Sequence, residues 1–572
     1  MSKLVEQSTA NLRTLIIEAI GKAITAGQLP SEPIPDFTIE VPADRSHGDW
    51  ATNLNAFADT NVAMVSAKAF KLAPRKIAEA VASHIVLDNS YFKSCEIAGP
   101  GFLNFFLNEQ FYVDVVKEVI AEGDNYGHSD FGQNKKVMIE FVSANPTGPM
   151  HMGNARGGAL GDCLASVMSA AGYDVWREFY VNDAGNQIEK FGNSLEARYL
   201  QMYLGEENVP FPEDGYQGED IKDRAAEFAA INGDKFIHVD SHIRQRALIE
   251  YALPHNIEKM QKDLKKYGIT YDQWFLESTI HKNGELQETI EELTKRGYTY
   301  EKDGALWYKA TEFGSDKDDV LVRQNGNPTY FAADIAYHRN KFVKRGFDLC
   351  IDIWGADHHG HVARMKGAME ALGLDSSKLD VILMQLVRLT QNGEVVRMSK
   401  RTGKAIQLGD LLDEVPVDSA RFLFNMREAN SQMEFDLDLA VKQDSQNPVY
   451  YVQYARARIC SILKALAADG ITPYPCTDEE LRLLTAPAEL ELIRHLSAYT
   501  SEIIEAAKDY DPARITRYVI TLATLFHKFY DACRVKGDNP HLTNARLTLC
   551  IATSTVICNV LNMFKISTPE SM

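Results

Sequence analysis

The segment NPTGPMHMGNARGGALGD, Asn145 to Asp162, sets one histidine in a stretch with almost no side-chain bulk. It follows VMIEFV (Val137–Val142), a run of strand formers. Small residues at a strand-to-helix turn bring a ligand close to backbone N–H groups. A helix that starts near His151 aims its unpaired N–H groups and its positive dipole end at an anion. The spacing is neither GxGxxG nor GxxxxGK[ST]. The histidine marks a third solution, a donor at the helix start that touches a phosphate and stabilises charge as it develops. A second segment, VVRMSKRTGKAI (Val395–Ile406), carries Lys400 among Ser and Gly. Taken singly, the first segment also reads as a packed turn with a surface histidine, and the second as a solvated basic loop.

These residues need a frame. The chain has 572 residues, enough for two to four domains. Residues 1–121 read as an α+β unit that opens on an amphipathic helix, MSKLVEQSTANLRTLIIEAIGKAI, and not on a signal peptide. Glu122–Lys136 is polar and aperiodic, a linker. Residues 122–416 alternate strand, turn and helix, which predicts an α/β Rossmann-like domain with a parallel sheet and helices on both faces. Strands are expected at KVMIEFV, DVWREFYVND, ALWYKA and FDLCIDIW. In the helix after the turn, Leu160, Leu164, Val167 and Met168 recur at helical spacing and predict one apolar face. A Glu-, Asp-, Gly- and Pro-rich stretch from Leu204 to Phe236 opens an insertion placed at about 204–300. After the basic segment strands are expected to stop, and 417–572 reads as an all-α bundle.

Composition narrows the class. Hydrophobic residues make up 45% and charged residues 24%, as in ordinary globular proteins. No apolar stretch of transmembrane length is apparent, so the expectation is a cytoplasmic chain with no membrane partner. The eight cysteines form no CxxC pair and read as reduced core thiols. A net charge of −19 argues against general nucleic-acid affinity, yet leaves room for RNA bound at local basic patches. Screening confines the remaining field to about 8 Å at physiological salt.

The His-Gly turn followed, far along the chain, by Met-Ser-Lys resembles the paired HIGH and KMSKS signatures of class I aminoacyl-tRNA synthetases. EFVSANPTGPMHMGNARGGALGD, YFAADIAYH, WGADHHGHV, NPVYYVQYARARICSIL and FHKFYDACRV together resemble the arginyl-tRNA synthetase family. HGDWATNLN (His47–Asn55) and AGPGFLNFFL add to this, so the resemblance runs from about residue 10 to Met572. It implies a fold with an N-terminal domain for the tRNA elbow, a class I catalytic domain and a C-terminal anticodon-binding bundle. It implies ligation of L-arginine to tRNA(Arg) in two steps through arginyl-adenylate, with ATP carrying its own Mg²⁺ and no protein-bound metal. A monomer is expected.

The resemblance also assigns residues. His151 and Lys400 are the implied catalytic pair. Pro149, His151, Gly153, Asn154, Gly355, Asp357, Met398, Ser399 and Lys400 would hold ATP. Glu140, Ser143, Asn145, His151, Tyr330, Asp334 and His358 would hold arginine, whose planar guanidinium wants carboxylates in fork geometry. A carboxylate in the apolar strand VMIEFV needs a partner, and the substrate is a natural one for Glu140. Asn104, Tyr451, Tyr454, Arg458, Tyr530, Arg534 and Met572 would face tRNA. Tyr451, Tyr454 and Arg458 form one helical stripe, for which core packing is the plain alternative. The tract WGADHHGH could also suggest a metal, but the resemblance assigns Gly355 and Asp357 to the ATP ribose. The chain departs from the family signature at Asn154, Arg397 and Arg401, which leaves the division of work at the adenylate step open. Rival readings are a synthetase for another amino acid such as cysteine, a non-catalytic tRNA-binding paralogue, and a small-molecule nucleotidyltransferase. The first would need zinc-binding cysteines, the second would not need His151 and Lys400, and the third would not need the helical tail.

Overall fold

The computed structural model describes residues 3–34, 36–42, 44, 47–53, 70–396 and 406–572. Helix α1 (Lys3–Thr25) buries Leu12, Ile16, Ala19, Ile20 and Ala23, a stripe at helical spacing that packs on α2 (Pro74–His84). Four antiparallel strands follow: β1 (Ile39–Glu40), β2 (Trp50–Asn53), β3 (Phe92–Ala98) and β4 (Phe102–Leu107), in the order β1-β2-β4-β3. Helix α3 (Glu109–Glu122) is capped by Asn108, whose side chain accepts from the Phe111 N–H at 3.3 Å. The segment read as a linker is not loose. Buried Tyr126 donates to the Leu496 carbonyl at 3.0 Å, and Asn559 donates to the Gly123 and Tyr126 carbonyls.

The central domain opens with β5 (Lys136–Glu140), α4 (Met152–Ala170) and β6 (Asp174–Val181). Three helices, α5 (Asn186–Leu204), α6 (Glu219–Asn232) and α7 (Ser241–Lys266), then pack around their own core of Phe191, Leu195, Tyr199, Ile221, Phe228 and Leu248. They precede β7 (Gln273–Leu276), which pairs in parallel with β6. The inserted unit therefore begins before Leu204, and a strand of the main sheet lies inside the span 204–300 expected to be insertion. Strands β8 (Thr299–Lys302), β9 (Ala305–Tyr308) and β10 (Asp319–Val322) form a separate antiparallel sheet. ALWYKA thus lies outside the parallel sheet. Its hairpin turns at Asp303 and Gly304, both at positive φ, the geometry that favours Asp-Gly.

Helix α8 (Tyr330–Arg339), capped by Thr329, runs into a π turn at Asn340–Lys344. Strand β11 (Leu349–Gly355), α9 (His359–Ala371) and β12 (Leu379–Met384) complete a five-stranded, all-parallel sheet in the order β12-β11-β5-β6-β7. The chain leaves β5 toward β6 on one side and returns to β11 on the other. That switch point opens a crevice at the carboxyl ends of β5 and β11, where such sheets bind ligands.

Helix α4 corrects one expectation. Every residue from Ala155 to Ala165 is buried, Arg156 and Asp162 included, so the helix is enclosed all round and not on one face. It lies between the sheet and the C-terminal helices, and a Cβ at Gly161 would run into the Phe141 ring. Strands also continue past the basic segment. Strands β13 (Val387–Gln391) and β14 (Glu394–Val396) are joined by β15 (Met433–Asp436), which pairs in parallel with β13.

The C-terminal domain is helical: α10 (Pro448–Ala468), α11 (Pro487–Ser497), α12 (Tyr499–Lys508), α13 (Ala513–Ala532) and α14 (Pro540–Met563). By length and composition α14 is long and apolar enough to cross a membrane, contrary to the sequence reading. Of its apolar window, 61% is buried, and it packs on α3, α10 and α13 as a core helix. All eight cysteines are free and buried or half-buried.

Candidate active site

Immediately after β5 the backbone is strained. Val142 (φ 71°) and Ser143 (φ 41°) both lie in the left-handed region, which a β-branched valine rarely enters. The Ser143 hydroxyl fixes the bend: it donates to Glu140 Oε1 at 2.9 Å and accepts from the Tyr180 N–H at 3.1 Å. The chain then lines a cavity of about 990 Å³, walled by Asn145, Pro149, His151, Asn154, Gln187 and Lys259 among others. His151 is the N-cap of α4 and is exposed. Its N–H donates to Asn154 Oδ1 at 2.8 Å, so Asn154 spends its oxygen on the helix cap and keeps its amide nitrogen for the cavity.

A second cavity of about 600 Å³ lies on the other side of His151 and is lined by Gly153, Arg388, Val396 and Ile406. A Cβ at Gly153 would meet nothing within 4 Å, so the protein's own packing does not call for glycine there. Ile406 accepts from the Met152 N–H at 3.2 Å, and the Leu408 N–H donates to Met150 at 2.9 Å. Met398, Ser399 and Lys400 lie outside the described residues. The described residues on either side of them, Val396 and Ile406, both line this second cavity.

The sheet beside the turn carries a row of carboxylates. In register, Asp352 on β11, Glu140 on β5 and Glu178 on β6 are lateral neighbours. Like charges side by side in a sheet repel. Two cations from the end of α8 offset them. Lys341, fully buried, donates to Glu140 Oε2 at 2.8 Å and to Asp352 Oδ1 at 2.8 Å. Arg345 grips Glu178 with both terminal nitrogens, Nη1 at 2.8 Å. The π turn that places Lys341 and Arg345 is of a kind often found at functional sites. This corrects one reading: the partner of Glu140 inside the protein is Lys341, not a vacancy reserved for substrate. His338 Nδ1 faces the Asp334 carbonyl at 2.8 Å and its Nε2 faces Asp352 Oδ2 at 2.9 Å. Through these two contacts His338 links α8 to β11.

Asp334 is half-buried and accepts from His361 Nε2 at 2.6 Å. Burial would raise its pKa, but the hydrogen bond from His361 and the nearby His338 bring it below the ordinary value. Asp352 is likewise buried and yet held at about 2, by Lys341 and His338. Glu140 moves the other way. Burial raises it, Asp352 adds to the rise, and Lys341 opposes without winning. Four carboxylates (Glu140, Glu178, Asp334, Asp352) thus face two permanent cations, Lys341 and Arg345, with His338 and His361 hydrogen-bonded beside them, so carboxylates outnumber the lysine and arginine side chains.

Tyr330 and Asp334 lie one turn apart on α8, and the Tyr330 hydroxyl accepts from the Gln187 N–H at 3.1 Å. Gln187 and Ser143 line the large cavity, so Tyr330 and Glu140 each stand one hydrogen bond behind its wall. Gly355 ends β11, and a Cβ there would meet the Asp357 carboxylate. Asp357 and His358 are exposed, 3.7 Å apart. Among the described residues no group of three or more side chains could hold a metal ion.

Far from the sheet, Tyr454, Arg458, Tyr530, Arg534 and Met572 line one groove of about 920 Å³. The Arg458 guanidinium lies 4.9 Å from the Tyr454 ring centre and 5.1 Å from that of Tyr530. The helical stripe is split. Tyr451 turns inward, its ring 5.1 Å from His527 and its hydroxyl on Thr524, so core packing wins there. Arg456 also points inward, donating to Cys558 Sγ. Asn104 sits in the middle of β4 and is 5% exposed, leaving RNA little to touch.

Sequence reasoning missed Lys341, Arg345, Asp352 and His361. One signal was available. Asp352 interrupts the apolar strand LCIDIW just as Glu140 interrupts VMIEFV.

A parallel sheet with a histidine-led helix start at its switch point, followed by a helical domain, is the architecture of class I tRNA synthetases. The family model described as tRNA synthetases class I (R), catalytic domain, matches residues 115–458. The arginyl tRNA synthetase N-terminal domain matches 10–107, and the DALR anticodon binding domain matches 452–572. The arginine–tRNA ligase of Ruminiclostridium cellulolyticum is 54% identical over 572 residues, covering all of both chains. That of Caldanaerobacter subterraneus is 55% identical with the same coverage. The Thermus thermophilus arginyl-tRNA synthetase structure shares the fold, with a TM-score of 0.72 at 20% identity over 97% of this chain and 99% of that one. The chain belongs to the arginyl-tRNA synthetase family.

Proposed function

We propose that the chain attaches L-arginine to tRNA(Arg) at the crevice between β5 and β11, by way of arginyl-adenylate. The arginine carboxylate attacks the α-phosphorus of ATP and pyrophosphate leaves. The 2′-hydroxyl of the terminal adenosine then attacks the arginyl carbonyl and AMP leaves. Two anions meet in the first step, so positioning and charge stabilisation dominate. The start of α4 and His151 supply donors for the phosphates, with Pro149, Gly153 and the Asn154 amide around them. Lys400, with Met398 and Ser399, neutralises the departing pyrophosphate. Gly355 and Asp357 take the ribose. Mg²⁺ arrives with ATP.

The guanidinium is permanently charged, so a pocket that desolvates it must supply negative charge. Asp334 presents that charge, Tyr330 and Asn145 orient the substrate, and His358 lies at the rim. Ser143 acts from the wall itself and Glu140 from behind it. The single observation that carries the reading is the apposition of an anion-accepting helix start and a carboxylate row that outnumbers its lysine and arginine partners across one switch point. In the helical domain, the Tyr454–Arg458–Tyr530 stack with Arg534 and Met572 offers flat faces on which unstacked anticodon bases lie.

The test is ATP–pyrophosphate exchange with each of the twenty amino acids, with and without tRNA. Arginine alone should support exchange, and Lys400→Ala should slow it by roughly 100- to 1000-fold. Exchange driven by another amino acid defeats the reading.

A further inference from the structure

We infer that Lys259, on the inserted helix α7, binds the ATP polyphosphate and supplies the charge that Asn154 does not carry. This rests on the reading of the cavity as an ATP site.

Helix α7 is pinned to the strand–helix turn. Asn256, 7% exposed, donates to the Pro146 carbonyl at 3.0 Å. Lys259 lies three residues on, on the same face of the helix. It lines the large cavity together with Pro149, His151 and Asn154. Its neighbours on α7 are engaged elsewhere. Lys262 pairs with Glu258 at 2.8 Å, and Lys266 pairs with Asp413. Lys259 makes no ion pair or hydrogen bond with the described residues, and its charge helps offset the burial of Asp263. It is exposed, so this terminus costs little to hold charged.

The electrostatics of the wall make that cation necessary. Glu219, Asp220 and Asp223 of α6 line the same cavity. A triphosphate entering there meets three carboxylates, of which Glu219 is paired with Lys222 at 2.9 Å, and among the described lining residues Lys259 is the one lysine or arginine. Asn154 can give one neutral hydrogen bond but no charge. An ammonium on a flexible stem is suited to a phosphate as a compact point charge.

The experiment is pyrophosphate exchange by the full chain with arginine and tRNA, varying ATP, on Lys259→Met, Lys259→Arg and Lys262→Met. Lys259→Met should lower kcat/KM for ATP at least tenfold and leave the arginine KM within twofold. Lys259→Arg should recover most of the loss, and Lys262→Met should match the parent chain. Adding Asn154→His to Lys259→Met should return part of the activity, because it restores a chargeable donor at the turn. If Lys259→Met melts early, Lys259→Gln takes its place and must show the same loss. An ATP dependence within twofold of the parent in a folded variant overturns the inference. If the parent chain itself shows no arginine-dependent exchange, the proposed reaction fails, and Lys259 is judged on ATP affinity by calorimetry. Equal affinity in parent and Lys259→Met then overturns it.

Discussion

Two buried charge clusters solve the same problem with opposite signs. The carboxylate row of Asp352, Glu140 and Glu178 takes two cations from the end of α8, and with Asp334 included its carboxylates outnumber those cations four to two. The other cluster centres on Asp162, fully buried in α4. Arg421 donates to it at 2.5 Å and Lys565 at 2.8 Å, while Arg177 stands 3.3 Å away. One carboxylate meets three cations there. The surplus is absorbed by backbone: Arg421 also donates to the Phe564 carbonyl at 2.6 Å and the Tyr267 carbonyl at 3.0 Å. The cluster ties α4, the end of the inserted unit, the Arg421 helix and the C-terminal segment together. The Asp162 cluster is closed and its excess is met by the chain itself. The row stands behind an open cavity, and its carboxylates outnumber the lysine and arginine side chains beside them. Buried charge by itself does not mark a functional site; uncompensated charge at an opening does.

The comparison predicts different losses. Asp162→Asn leaves buried Arg421 without its counter-charge, which costs about 3–5 kcal/mol. Urea unfolding should register that full loss, with exchange activity per folded molecule unchanged. A loss below about 1 kcal/mol would mean that the backbone carbonyls alone satisfy Arg421.

The next effect is smaller and comes from ligand. Arginine at a hundred times its dissociation constant should stabilise the protein by about 2.7 kcal/mol. Citrulline, the neutral isostere, should give almost none at the same concentration. Equal rises in melting temperature with the two ligands would show that the excess negative charge is not what receives the side chain.

Asp334→Asn separates the clusters further. It keeps shape and removes the half-buried charge. Loss of one hydrogen bond to a charged group is worth about 1.5–3 kcal/mol, roughly 10- to 150-fold in the arginine KM. The ATP KM should hold, and so should the urea midpoint, in contrast to Asp162→Asn. An unchanged arginine KM would falsify the placement of the guanidinium beside α8.

The smallest effect is in pH, where the clusters carry opposite shifts. Burial tends to raise Asp162, but Arg421 and Lys565 bring it below the ordinary value. A carboxyl lowered in the native state stabilises the fold above its unfolded pKa, about 3.9, and loses that contribution as pH falls below it. Glu140 is raised, so its buried charge costs stability at neutral pH and the cost eases as it takes a proton. Glu140 should therefore protonate first. As pH falls from neutral toward the ordinary carboxylate range, the arginine KM should rise a few-fold while the melting temperature holds or rises slightly. A fall in both together would tie them to one group.

Local sequence settled the parts of this protein that depend on short-range geometry. The strand VMIEFV, the glycine-rich turn and the helix behind it follow from neighbours in the chain, and so does the helical period after residue 417. The turn chemistry at His151 was legible because helix N-termini need no distant partner to bind anions. Strand membership was less legible. ALWYKA looks like a strand wherever it sits, and only pairing decides its sheet, while MEFD, in a stretch expected to be helical, becomes a strand by pairing with β13. Tyr451 and Tyr454 share a helical stripe in sequence, and packing of α13 on α10 turned one inward and left the other in the groove. The carboxylate row was hidden for the same reason. Its members come from three strands and its cations from a helix end, so charge balance there is a property of register and crossover, not of any segment. Sequence by itself determined which residues could bind phosphate. Tertiary structure alone decided that Lys341 satisfies Glu140, that Asp334 is half-buried against His361, and that Lys259 reaches the same cavity as His151, because electrostatic partnership depends on distance through space and burial, neither of which the linear order contains.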